Sequence, residues 1–360
     1  MTWGIFWTAQ QNVLHFSAIH FCERKNSVFS PKSICVAGAG SIGCFVGGML
    51  RAGGHPVSML ARPRVIDEIR ANGLKVTSFE GIEHRLTPAE IKLSDDPSIF
   101  SSAAIILVTV KSDDTAEIAD HIARHASADA TIVSLQNGTG NVPVLRDKLP
   151  GRSVLAGMVP FNVLALGPGH YHRATSGDVL IEKDAADTAA QLRQPELVFR
   201  AVDNMIGIQW GKLLINLNNA LNALSGLPLR DQLSQRPWRA LFADQMLEAL
   251  AVIKAEGIAP VSSTPLPPAL TPYILKLPDF AFQIIAKSMV KIDPKARSSM
   301  WEDLQRGRRT EVDHLQGLIV SLAARHGLKA PLAERIVALI RSAEQAAKGS
   351  PGLTPEQIRG

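Results

Sequence analysis

Cysteine is scarce in this 360-residue chain, with only Cys22, Cys35 and Cys44 present. Two of the three flank a glycine-rich loop in apolar surroundings. That usage excludes a disulfide-stapled fold and a cysteine-rich zinc site, and it predicts reduced thiols and a cytoplasmic protein. Long apolar runs are also missing, and none reaches the ~18 residues of a membrane span. Residues 1–31 lack a basic start, an apolar core and a small-residue cleavage site, which argues against a secretory signal. Charge of one sign is not in excess. The formal net charge is +5, spread along the chain except at Arg306-Gly307-Arg308-Arg309. So mild a balance favours anionic small molecules over nucleic acid as ligands. What remains, 46% apolar and 20% charged residues, is the make-up of a soluble globular protein long enough for two domains.

Glycine is concentrated where it matters. Residues 33–51 read SICVAGAGSIGCFVGGMLR, a short apolar strand, a G-x-G-x-x-G loop and a small-residue helix. Gly38 suits the tight turn, Gly40 lets a pyrophosphate approach the backbone, and Gly43 lets helix and strand pack closely. Ala39, Ser41 and Ile42 complete the loop, and the helix N-terminus offers free N–H groups to phosphate. A strand at residues 56–60 follows. An NAD-type site carries Asp or Glu at the end of that strand, roughly 20 residues past the glycines. Here the acid is lacking, and the chain reads Ala61-Arg62-Pro63-Arg64. A guanidinium at Arg62 suits a 2′-phosphate, which predicts NADPH over NADH.

Strand and helix patterns alternate through the first half. Residues 103–110 and 131–135 read as buried parallel strands ending at Lys111 and before Asn137, where doubly wound sheets bind ligands. Residues 75–93 suggest a β excursion, and the patches within 154–182 are expected to complete the sheet. From residue 201 strand signals nearly vanish. Helices are expected at 209–224, 239–257, 278–288, 310–326 and 332–348, and a proline-rich loop at 260–272. The organisation so predicted is an extension at 1–31, disordered or loosely docked, and a dinucleotide-binding α/β domain at 32–198. An all-α domain at 199–348 and a frayed tail at 349–360 follow.

Two helical stretches carry polar groups that ordinary packing does not call for. In WGKLLINLNNALN, residues 210–222, Asn216 lies about 40° from Lys212 around a straight helix and Asn219 about 20° to the other side. A lysine and two carboxamides thus share a face, while Asn218 points away. In SSMWEDLQRGRRTEVD, residues 298–313, Ser299 and Asp303 share a face. Glu311 falls about 120° off it unless the helix bends, with Gly307 the natural place.

These marks together resemble the ketopantoate reductase family over roughly residues 32–340. They are the G-A-G-S-I-G loop, V-T-V-K ending at Lys111, L-Q-N-G around Asn137, W-x-K-L-x-x-N at Lys212 and Asn216, and S-S-M-x-x-D-x-x-x-G-R-x-T-E from Ser298 to Glu311. The resemblance implies a Rossmann-type doubly wound sheet followed by an all-α C-terminal domain, with the site in the cleft between. It implies hydride transfer from NADPH to the C2 ketone of ketopantoate, giving (R)-pantoate for pantothenate biosynthesis. Lys212 looks like the general acid, and Glu311 like the residue that orients Lys212 and the substrate hydroxyl. Lys111, Asn137 and Val163 look like cofactor contacts alongside the loop and Arg62. Asn137, Asn216, Asn219 and Ser299 look like substrate contacts, with Ser299 on the carboxylate. The partners implied are a small 2-keto acid and either no second subunit or one like itself, with no metal, nucleic acid or membrane.

Two departures stand out. The family's second Asn, eight residues after the lysine, is Ala220, and a further one falls near Leu229-Arg230. Which of Asn218, Asn219 and Asn222 stands in is left open. Two other readings follow, a reductase of a related 2-keto acid and an NADP(H)-binding sensor without turnover. Replacing Arg62 with Asp should weaken NADPH binding far more than NADH binding in a fluorescence titration; equal loss for both would remove the 2′-phosphate assignment.

Overall fold

The computed structural model describes residues 32–262, 266–286 and 296–360. The 1–31 extension, the last two residues of the 278–288 helix and part of the proline-rich loop lie outside them. Twelve strands form among the described residues, β1 (Ile34–Ala37), β2 (Val57–Leu60), β3 (Leu74–Ser78), β4 (Glu83–Leu86), β5 (Lys92–Ser94), β6 (Ile105–Val108), β7 (Thr131–Ser134), β8 (Val154–Met158), β9 (Val163–Gly167), β10 (His170–Arg173), β11 (Val179–Glu182) and β12 (Phe199–Val202). Eight of them make one sheet in the order β12-β11-β8-β7-β6-β1-β2-β5. It is parallel from β5 to β8, and β11 pairs antiparallel to β8. β1 and β6 are buried along their whole length, as strands covered on both faces must be.

The excursion expected within 75–93 does not join this sheet through β3 and β4. Those two pair with β9 and β10 in a separate four-stranded sheet, β4-β3-β10-β9. The expectation that residues 154–182 complete one sheet therefore holds for β8 and β11 alone. Strand alternation says that a segment is β; it does not say which edge it joins.

Helices α1 (Ser41–Ala52), α2 (Pro63–Asn72), α3 (Thr115–His125), α4 (Asn141–Lys148) and α5 (Thr188–Gln191) accompany the strands. α1 lies between the two sheets, and Phe45, Met49 and Leu50 on it are fully buried. Its start is set by the glycine loop. Gly38 adopts φ 107°, and a Cβ on Gly43 would stand 2.3 Å from the Gly38 carbonyl oxygen. The Thr109 hydroxyl donates to that same oxygen at 2.6 Å, so the space is already taken.

After β12 the described chain is helical. It comprises α6 (Met205–Asn216), α7 (Asn218–Ser225), α8 (Leu229–Ser234), α9 (Arg236–Ala255), α10 (Thr271–Leu275), α11 (Asp279–Ala286), α12 (Ser299–Gln305), α13 (Gln316–Arg325), α14 (Pro331–Ala346) and α15 (Pro355–Arg359). α7, α9, α13 and α14 share a core of their own. The helix expected at 209–224 is broken at Leu217, whose freed carbonyl accepts from the buried Gln316 side chain at 2.9 Å. Such a break needs a partner for the released oxygen. The tail expected to fray instead folds back as α15. A Thr354–Gln357 capping box starts it, Ile358 is fully buried, and Arg335 Nε donates to the Ile358 carbonyl at 2.6 Å. Replacing Gly43 with Ala should cost about 1–3 kcal/mol by overpacking and displace the loop; urea unfolding and dinucleotide titration would register both, and a stability equal to wild type would refute the close-packing account.

Candidate active site

The carboxyl ends of β1, β2 and β6 open into a groove of about 1020 Å³. Gly38, Ala39, Gly40, Ser41, Arg62 and Lys111 line it. Nothing caps α1 at this end, because Gly40 has no side chain and no acid occupies the first turn. A Cβ placed on Gly40 would meet no atom within 4 Å. Bare N–H groups at a helix start facing an open groove are an anion site. Arg62 stands at the end of β2 and precedes α2, its side chain 85% exposed and 3.5 Å from Asp114. Arg64 pairs with Glu68. Ile42, Gly43, Asn137 and Val163 do not line the groove. Val163 begins β9 opposite Arg173, half-buried against the first core. A second cavity, about 450 Å³ at residues such as Ser33, Ile105 and Thr131, opens at the amino ends of the strands, away from this chemistry.

Beside the groove, α6 presents Lys212 to the loops after β7 and β8. Lys212 Nζ donates to Asn137 Oδ1 at 2.8 Å and to the Val159 carbonyl. The Asn137 turn is itself suspended. Asn141 Nδ2 donates to the Asn137 carbonyl at 2.6 Å, and Gln136 Nε2 donates to the Val110 carbonyl at 3.1 Å and to Thr115 Oγ1 at 2.8 Å. An ammonium has three N–H bonds, and two fixed acceptors leave one for a third oxygen. Burial pulls the Lys212 pKa down from 10.5 to about 8, with the Glu311 carboxylate pushing the other way. So lowered, the ammonium releases its proton closer to neutral pH than an ordinary lysine does.

Glu311 follows a turn, not a helix. α12 ends at Gln305, Gly307 takes φ 60°, and Glu311 precedes a short 3₁₀ turn at Val312–His314. The bend at Gly307 is thus a termination. It brings Glu311 Oε1 to within 3.4 Å of the Ser112 hydroxyl, which donates to it. The same turn of the sheet half makes three further contacts with the helical half. Lys111 Nζ lies 2.9 Å from Asp303 and donates to the Arg309 carbonyl at 3.0 Å, and Asp113 lies 2.8 Å from His314. Lys111, expected among the cofactor contacts, therefore lines the groove while tied across the seam.

Four asparagines follow Lys212, and the break at Leu217 sorts them. Asn218 and Asn222 are buried and bonded to Gln232. Asn222 Oδ1 also accepts from the Ser298 N–H at 2.8 Å, and the Ser298 hydroxyl donates to the Asn219 carbonyl at 2.9 Å. Ser298 caps α12 by accepting from the Trp301 N–H, so this buried network fixes the start of the helix that carries Ser299. Among the described residues the side chains of Asn216, Asn219 and Ser299 make no hydrogen bond. Asn216 and Asn219 are half-buried and Ser299 is exposed, so these polar groups stand free for a solute. Ala220 is fully buried and Arg230 exposed. Sequence reasoning missed the Val159 carbonyl, which no side-chain pattern reports, and the Asn222–Ser298 tie. Ser298, three residues before an N–H that it caps, was readable as a cap only. Among the described residues no group of three or more His, Cys, Asp or Glu is placed to hold a metal, and no helix is long and apolar enough to cross a membrane. Cys35 and Cys44 are free and buried.

Residues 34–185 match the family model described as ketopantoate reductase PanE/ApbA, and residues 204–344 match the model of its C-terminal part. A PanE/ApbA family ketopantoate reductase from Ralstonia eutropha JMP134 is 33% identical with a TM-score of 0.75, over 88% of this chain and 99% of that one. The 2-dehydropantoate 2-reductase of Halobacterium salinarum is 28% identical over 87% of this chain and 99% of its own length. D-mandelate dehydrogenase solved with NADH and anilino(oxo)acetate is 20% identical with a TM-score of 0.73, over 88% and 99% of the two chains. At that identity it establishes the shared fold alone.

The Lys212 side-chain NMR signal should titrate near pH 8. With Glu311 replaced by Gln it should titrate lower still, since the carboxylate that favours the charged form is gone. A midpoint near the ordinary lysine value would show that the ammonium is not buried.

Proposed function

The chain belongs to the ketopantoate reductase PanE/ApbA family, and from that premise we propose that it reduces the C2 ketone of ketopantoate to (R)-pantoate with NADPH. The product serves pantothenate biosynthesis, and we assign the enzyme to the cytoplasm. The observation that carries this reading is the Lys212 ammonium, held by Asn137 Oδ1 and the Val159 carbonyl with one N–H left over.

The groove residues fit a dinucleotide. The uncapped start of α1 would take the pyrophosphate and Arg62 the 2′-phosphate. Bound NADPH supplies a hydride to the ketone carbon. Negative charge then grows on the ketone oxygen. The third N–H of Lys212 stabilises that charge and delivers the proton, leaving a neutral amine that regains its proton from solvent. Glu311 keeps the ammonium charged in a buried setting. Ser299 and the carboxamides of Asn216 and Asn219 would hold the carboxylate and hydroxyl of the acid. Asn219 is the natural substitute for the missing second Asn, since Asn218 and Asn222 are committed to Gln232.

A related 2-keto acid is a second reading. Ala220 offers no amide and Arg230 points outward at the surface, so the contact that reads the far hydroxyl is altered. Following NADPH oxidation with ketopantoate beside a panel of 2-keto acids separates the two. Lys212→Ala should lower kcat by roughly 10²–10⁴ while leaving NADPH affinity nearly intact. In the wild type the reduction rate should fall as pH rises through about 8, because the acid must be protonated. An undiminished rate in the variant would end the assignment of Lys212 as the acid.

A further inference from the structure

We propose that Arg308 and Arg309, in the turn after α12, form an anion subsite that binds a phosphate of the dinucleotide from the helical half of the chain. The inference rests on the reading of the groove as an NADPH site. Both guanidiniums line that groove although they belong to the helical half of the chain.

The backbone of the turn is fixed on both sides. The Arg306 N–H donates to the Glu302 carbonyl at 3.1 Å, and the Arg308 N–H donates to the Asp303 carbonyl at 2.8 Å. The Arg309 carbonyl takes Lys111 Nζ, and the Thr310 N–H donates to Glu344 Oε1 at 2.6 Å. The side chains contrast with this. Arg306 pairs with Glu302, Arg62 with Asp114, Arg64 with Glu68 and Lys111 with Asp303. The side chains of Arg308 and Arg309 are exposed and make no ion pair or hydrogen bond among the described residues.

Two adjacent unpaired guanidiniums repel each other, and an anion between or beside them relieves that repulsion. Among the groove's carboxylates Asp114 and Glu68 are held by other arginines, Asp113 by His314 and Glu117 lies 3.6 Å from His121, while Asp95 makes no ion pair with either guanidinium. A guanidinium fork matches phosphate oxygens two at a time. The dinucleotide brings two such groups, its pyrophosphate and its 2′-phosphate. The Gly307 turn thus completes from the helical half a site that the sheet half leaves open on one side.

The experiment measures Kd for NADPH and NADH by fluorescence, on the full chain, for wild type, R308A/R309A and R308K/R309K. The alanine pair should weaken NADPH at least ~10-fold, as loss of charge-assisted bonds does, and the lysine pair should recover part of it. Equal losses for NADPH and NADH support the subsite and place the pyrophosphate there. A loss confined to NADPH supports it and places the 2′-phosphate there. The dependence of log Kd on log salt should be shallower in the alanine pair, a readout that loss of packing does not move. Alanine-variant affinities within twofold of wild type for both dinucleotides would overturn the subsite while leaving the dinucleotide groove standing. A wild-type chain that binds neither dinucleotide would overturn the groove reading and the subsite with it.

Discussion

An ammonium group taken out of water needs fixed oxygens around it. Among the described residues Lys212 finds them on the other half of the molecule. Its helix must therefore stay docked against the loops after β7 and β8, and the loops must keep their shape. Gln136, Asn141 and Thr115 hold the first loop, and Met205 at the start of α6 is buried in the core beneath the sheet. Apolar packing sets where α6 lies, and the two acceptors set where its lysine points. The lowered pKa is a result of the same enclosure.

Much of this was legible in the sequence. The glycine loop, the buried strands ending at Lys111 and Asn137, and the Lys212–Asn216 spacing each state a local requirement that one segment fulfils by itself. The rest is relational. Whether β3 joins the large sheet or pairs with β10 depends on a partner some ninety residues away, which alternation does not encode. The break at Leu217 depends on Gln316, whose position opposite it only the packed fold creates. α15 looks like a polar tail by composition, yet it is anchored by one buried isoleucine and one arginine on α14.

The asparagines after Lys212 illustrate the same divide. A straight-helix projection places Asn216 and Asn219 with the lysine and Asn218 away from it. Asn218 is indeed turned inward, to Gln232. The projection could not show that Asn222 also leaves the open side to bind the Ser298 N–H. Buried amides of this kind are costly unless paired, and once paired they hold a unique arrangement. Here they join α7, α8 and the start of α12 into one unit.

That unit makes α12 a spacer of set length. Seven residues, Ser299–Gln305, span about 10 Å of rise. One end is pinned to α7 through Ser298, and the other passes through the Gly307 turn into the basic loop beside Lys111. A residue inserted or deleted within α12 would swing one end by about 100° relative to the other. The length of α12 is therefore constrained from both sides, because the helix works as a gauge between the Ser298 tie and the Gly307 turn.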